Sequence, residues 1–569
     1  MYNFEEFEEL LQTAQSLWKN RKIKQAAEAF EKVVNYAIDE LLEEDQSYYL
    51  PRLSSAIYRA IKEQKQSKQY KYLVTYLELL VKVNELLDDP FHLSQSLIDL
   101  GRNLTFIKKF QKAEECFERA LTLVEDTNQH KMIVSLCSLL LELHQRESNL
   151  RNLTKARTIF ETGEESAQLT EATWSKAKFY KNIALLFKEE DPEFSITQGA
   201  IAAETYQKLG TWLVSRRERN YKQINNSFEQ AFQMAKFSSN LRLLILTIKD
   251  YLKLTGKRRH PSSLREYIDE FDKLWNQSEI YNEFQSDLIE LGEIIADLEF
   301  KKFHNLRRAI ELYEEALKYS QQQKDLERQS MILISLSDIR RVAGELEQSL
   351  KHLMEAENIA DTFENTKKKA NCTKRIAHVY RNFGDYIAAA RKYEKALGLN
   401  PQDENLRSEC LTGLSHVYSL KDGNYERALE LRKQAIQFSR KRIGYKMILS
   451  ATCSMLLRFN AFKEVKAAIH ELKELEQSLT DASVNFHMRG LYYFRLGRYD
   501  EAHRFLTKSL DLGKELDDRG YGKKWKLFPQ EGLINCLIAL GRFEEAENFA
   551  REALTASLEP PIHYRGAIL

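Results

Sequence analysis

Residues 371–401, NCTKRIAHVYRNFGDYIAAARKYEKALGLNP, decide how the rest of the chain is read. Ile376, Ala377 and Tyr380 share one face of a first helix, at the spacings a helical stripe requires. Gly384-Asp385 then breaks the helix, because glycine reaches backbone angles that other residues avoid. A second helix carries Tyr386, Ala389, Tyr393 and Ala396 on one face, and Pro401 marks its end. The small residues Ala377, Ala389 and Ala396 let two helix backbones approach closely, with the tyrosines filling the space beside them.

The same hairpin pattern recurs along the chain. Its second helix reads Ile23, Ala26, Phe30, Val33, then Tyr70, Leu73, Leu77, Leu80. Next come Phe110, Ala113, Phe117 and Ala120, with Gly101 in the preceding helix, and Leu153, Ala156, Phe160 and Gly163. Further on stand Leu306, Ala309, Tyr313, Ala316 and Leu346, Ser349, Leu353, Ala356, the latter with Gly344 at the turn. Beyond the opening stretch follow Tyr425, Ala428, Ala435, and a weaker Phe462, Val465, Ile469. Gly490, Tyr493, Gly497, Tyr499 and Ala502 form another copy, and Gly541, Phe543, Ala546, Ala550 and Ala553 the last. From Ala309 to Ala502 the equivalent positions step by 37 to 40 residues.

This pattern resembles the tetratricopeptide (TPR) repeat, whose usual period is about 34 residues. One hairpin cannot bury enough apolar area to stand alone, whereas stacked hairpins bury each other's faces in a continuous core. The resemblance therefore implies an all-α protein, an α-solenoid in the form of a right-handed superhelix of hairpins. Residues 1–165 and 281–569 read as N- and C-terminal repeat arrays. Between 166 and 280 the small residues thin out, and only Tyr221, Ile224, Phe228 and Ala231 fit well. Helices still run through KFYKNIALLF and NLRLLILTIKDYLKL, with longer loops expected at 189–192 and 256–261. This stretch is expected to bend the superhelix or separate two sub-arrays.

In the family the first helices line the concave face, so the resemblance places a partner-binding groove at Asp338, Arg341, Lys374, His378, Arg381, Asn382, His416, Arg458, His487, Arg495 and Asn535. Such groups grip carboxylates and backbone amides. Some members clamp a C-terminal carboxylate through a lysine–asparagine–lysine–arginine set. Lys374 stands at one of those places, but His378 and Gly413 replace the asparagines, so a chaperone-tail clamp is not expected. The implied function is a non-enzymatic scaffold holding a peptide or partner-protein segment. The alternative is a regulatory sensor whose superhelix changes shape on ligand binding and so controls a partner.

Composition narrows the remaining classes. The 569 residues include only 8 prolines and 20 glycines, as a helical chain would. Seven places with proline, Pro51, Pro90, Pro192, Pro261, Pro401, Pro529 and the Pro560-Pro561 pair, are expected at helix boundaries. Lysine and arginine number 85 against 84 acidic residues, so no net field draws the chain to nucleic acid or anionic lipid. Basic runs at 216–219, 257–260, 367–369 and 440–442 could touch phosphate backbones, but glutamates interrupt the surrounding surfaces and nucleic-acid binding is not expected. No apolar run reaches membrane-spanning length and the N-terminus is acidic, which points to a cytoplasmic protein. The six cysteines lack any paired spacing, and read as compact hydrophobes. The tryptophans read as core or inter-repeat packing. Thr255-Gly256-Lys257 lacks the glycine-rich loop of a phosphate-binding motif, and neither H-E-x-x-H nor G-x-S-x-G occurs. No catalytic residue, metal or cofactor is therefore expected, and neither partner identity nor oligomeric state is written in the pattern.

Overall fold

A left-handed glycine followed by an aspartate makes the central hairpin. Helix Thr366–Phe383 ends at Gly384, whose φ of 83° an L-residue adopts only with strain. Asp385 then caps the next helix, Tyr386–Leu399, its carboxylate accepting from the Ala388 amide at 2.9 Å. Ala377, Ala389, Tyr393 and Ala396 are fully buried and Ile376 nearly so, as the stripe demands.

In the computed structural model the described residues are 2–41, 43–67, 72–125, 127–171, 173–216, 221–256, 261–421, 423–439, 445–518 and 524–557. They are helical hairpins throughout, with no strand among them. The chain divides into two compact units, Met1–Thr247 and Ile248–Leu569, each an α-solenoid of stacked hairpins. Tyr70, Pro560, Pro561 and the basic residues at 217–219, 257–260 and 440–442 lie outside the described residues.

The stretched repeat comes from longer helices rather than longer loops. Helices Leu326–Ala343 and Leu346–Thr362 have 18 and 17 residues and are joined by Gly344 and Glu345 alone. The turns are made in two ways. Gly344, Gly384, Gly497 and Gly541 take positive φ, while Arg21, Lys108, Lys324, Glu364 and Asn460 adopt it without glycine's freedom.

Small residues dock the helices as expected. A Cβ added at Gly101 would sit 2.5 Å from the Phe117 ring, and one at Gly413 would run into the Tyr393 ring. The middle keeps more of this chemistry than its pattern suggests. Phe179 enters the space left by Gly163 of the preceding array, and Gly210 admits Phe228, with added Cβ atoms only 2.7 and 2.8 Å from the rings. Gly210 lies in the 24-residue helix Pro192–Ser215, whose length breaks the repeat spacing and hides the match.

Two prolines depart from expectation. Pro90 and Pro192 open helices behind the capping side chains of Asp89 and Asp191, but Pro51 and Pro529 lie inside helices Glu43–Ser67 and Lys524–Ala539. Each removes a single amide donor, and burial of neighbours such as Leu50, Leu53 and Leu533 holds the helix through it. Trp212 also differs, being 43% exposed beneath the Arg216 guanidinium rather than packed in the core. The six cysteines are all free; five are buried and Cys116 is half-buried.

Candidate functional site

Within the second unit, consecutive first helices bring several charged side chains to one face. Asp338 and Arg341 come from helix Leu326–Ala343, and Lys374, Arg375, His378 and Arg381 from helix Thr366–Phe383. Glu409 and His416 come from helix Glu404–Lys421 and Arg458 from helix Tyr445–Arg458. A cavity of about 240 Å³ opens among Asp338, Arg341, Lys374, Arg375, His378 and Glu409.

The carboxylates here are already committed. Asp338 pairs with Arg375, and Glu409 pairs with Lys374, each across neighbouring first helices. Arg341, Arg381 and Arg458 make no ion pair among the described residues. Their field falls on the histidines. Burial, then Arg381, Lys374, Arg341 and Arg375, hold His378 well below the usual imidazole range. Burial followed by Arg432, Arg381 and Arg458 pushes His416 down to about 3, so both rings are neutral at ordinary pH. The His378 ring lies 5.5 Å from that of Tyr393.

Arg432 was not legible from the first helices, because it stands on a second helix, Tyr425–Ser439. Its side chain is fully buried, and Nε, Nη1 and Nη2 all lack a hydrogen-bond acceptor among the described residues. Burial, then Arg381, brings its pKa down to about 10, so it stays charged at neutral pH. The clue was a gap in the pattern. Where other repeats place Tyr313, Leu353, Tyr393, Ile469 or Leu506, this one reads Tyr425, Ala428, Arg432, Ala435.

The structure therefore gathers Asp338, Arg341, Lys374 and His378 around one cavity, with Arg381, His416 and Arg458 in electrostatic reach. It does not gather the rest. Asn382 is exposed beside the turn, and Arg495 and Asn535 are exposed on later helices. His487 is half-buried on helix Leu479–Arg495, where burial lowers it to about 4. The lysine run at 367–369 is partly spent on ion pairs, Lys368 with Glu327 and Lys369 with Asp361. Among the described residues no group of three His, Cys, Asp or Glu is placed to hold a metal, and no helix is long and apolar enough to cross a membrane.

A solenoid whose groove is built from first helices is the architecture of helical-repeat proteins, and sequence comparison names the repeat. Residues 373–407 match one tetratricopeptide repeat model, and residues 94–126 and 485–512 match another. The chain carries tetratricopeptide repeats at these three places. No curated protein matches it. Among solved structures, the quorum sensor NprR from B. thuringiensis is similar at 14% identity and TM-score 0.42, over 62% of this chain and 98% of that one. RapI is similar at 12% identity and TM-score 0.36, over 48% and 98%. The Cut9 and Hcn1 assembly of the APC/C is similar at 14% identity and TM-score 0.33, over 90% and 89%.

Proposed function

We propose that the second unit is an interaction module that holds a peptide or partner-protein segment along its first-helix face. One observation supports this most: Arg341, Arg381 and Arg458, on three different first helices, make no ion pair among the described residues, although ion pairs are frequent elsewhere on the chain. A rigid helical frame presents these groups in fixed order, so the ordering cost of binding falls mainly on the flexible segment. The cavity and the neutral histidines add hydrogen-bonding sites between the charges.

Affinity capture with quantitative mass spectrometry tests the reading, using the full chain and an Arg341→Glu, Arg381→Glu variant. The expected result is at least one partner held by the parent and lost by the variant, with the unfolding midpoint unchanged. Equal recovery of every partner by both proteins would place binding elsewhere.

A further inference from the structure

We propose that Trp275, Tyr281, Glu311 and Glu315 form a pocket for an organic cation, taking the alkylated ammonium head of a methylated lysine side chain or of a free quaternary ammonium compound. The pocket uses none of the first-helix residues described above, so the inference stands apart from the groove reading.

The walls come from three elements of the second unit. Trp275 stands near the end of helix Arg265–Asn276, Tyr281 on the short helix Ser278–Glu283, and Glu311 and Glu315 on helix Leu306–Gln322. With Arg308 and Leu312 they line a cavity of about 290 Å³. The two rings lie 5.0 Å apart between centroids and meet at 73°, so they make two sides of a corner. Other neighbours hold the Trp275 ring in place: a Cβ added at Gly292 would come 3.2 Å from it, and the Phe271 ring lies 5.1 Å away. Glu311 and Glu315, four residues apart, share one side of their helix and add carboxylates to the corner. The Tyr281 hydroxyl donates to Glu315 Oε1 at 3.2 Å, which ties the aromatic wall to the acidic one.

The charge of this corner also suits a cation. The guanidinium in the lining, that of Arg308, is already engaged, with Nη2 on Asp272 at 2.7 Å and Nη1 on Glu311 at 3.6 Å. Asp272 lies outside the lining and offsets that positive charge, which leaves the two glutamates facing the cavity. Glu311 also meets Arg307 at 3.1 Å and Glu315 meets Lys318 at 4.0 Å. Those two cations are 92% and 68% exposed, where ion pairs are weak and an incoming charge can replace them. A positive head over an aromatic face is attracted by the ring quadrupole, most strongly over tryptophan. Alkyl groups on the nitrogen spread its charge and cover apolar surface. Two rings, Leu312 and two carboxylates therefore suit an alkylated ammonium better than a bare one.

Isothermal titration of the full chain tests this with two matched pairs of probes. One pair is choline and its uncharged isostere, in which a tert-butyl group replaces trimethylammonium. The other is a glycine-serine decapeptide carrying a central trimethyllysine or a central norleucine. At least one charged probe is expected to bind about tenfold or more tightly than its uncharged counterpart, the size of a desolvated contact between a cation and a ring. The tighter of the two charged probes identifies the source as a free compound or a side chain, and equal affinities assign recognition to the head group alone. Trp275→Leu is expected to lose the preference while keeping its helix content. If Trp275→Leu does not fold, Glu315→Gln carries the same expectation. Equal binding within both pairs, an unchanged preference in the variants, or no binding of any probe would overturn the pocket. None of these results bears on the groove reading, which the capture experiment decides.

Discussion

Two adjacent hairpins share a frame and differ at one buried position. In the hairpin that ends with helix Tyr386–Leu399, Ala389 and Ala396 are fully buried and Tyr393 fills the space between them. In the one that ends with helix Tyr425–Ser439, Ala428 and Ala435 are equally buried and Arg432 takes the tyrosine's place. The difference extends to the neighbouring helix. Tyr393 fits because Gly413 has no side chain, whereas 39 residues further on stands Thr452, buried and branched at Cβ. The frame is conserved between the two hairpins while the filling changes from an aromatic ring to a charge. A break in local consistency of that kind is expected where function outweighs packing.

The largest test of the comparison moves the charge one repeat back. Tyr393→Arg places a second buried guanidinium in the array, and its urea unfolding free energy is expected to fall by about 3–5 kcal/mol. Gly413→Ala comes next. Its methyl group meets the Tyr393 ring, at a cost of about 1–3 kcal/mol by the same measurement. The third prediction repairs the charged repeat. Arg432→Tyr alone is expected to destabilise, and combining it with Thr452→Gly to recover stability, with a coupling of about 0.5–3 kcal/mol in a double-mutant cycle. Additive effects would mean that Thr452 does not occupy the place of Gly413. The smallest effect lies at the turns. Gly384 and Gly423 take φ of 83° and 59° with open space where a Cβ would go, so alanine at either is expected to cost about 1 kcal/mol, equally in the two hairpins.

The frame was legible because it depends on spacing. The positions of Ala377, Ala389, Tyr393 and Ala396 and the Gly384-Asp385 break follow from helix geometry and from which residues tolerate a left-handed turn. What was hidden depends on distance along the chain or on exceptions to local rules. Asp338 finds Arg375, and Lys374 finds Glu409, only once hairpins stack, so the sequence showed the charges without showing which were already paired. Arg432 is hidden because it stands on a second helix, and a missing aromatic is quieter than a present one. Pro51 and Pro529 read as boundaries because proline's local preference is strong, and long-range burial overrode it. Asn382, Arg495 and Asn535 were expected in the groove, and they stand exposed on three different helices.

The central claim is that the cation at 432 is retained for something other than the fold. Equilibrium urea unfolding of Arg432→Met measures this directly, because methionine fills similar volume without a buried charge. The account predicts a variant at least as stable as the parent, with a gain of up to about 1–4 kcal/mol. A loss of more than about 1 kcal/mol, beyond what repacking a flexible side chain costs, would mean that Arg432 holds the hairpins together and would contradict it.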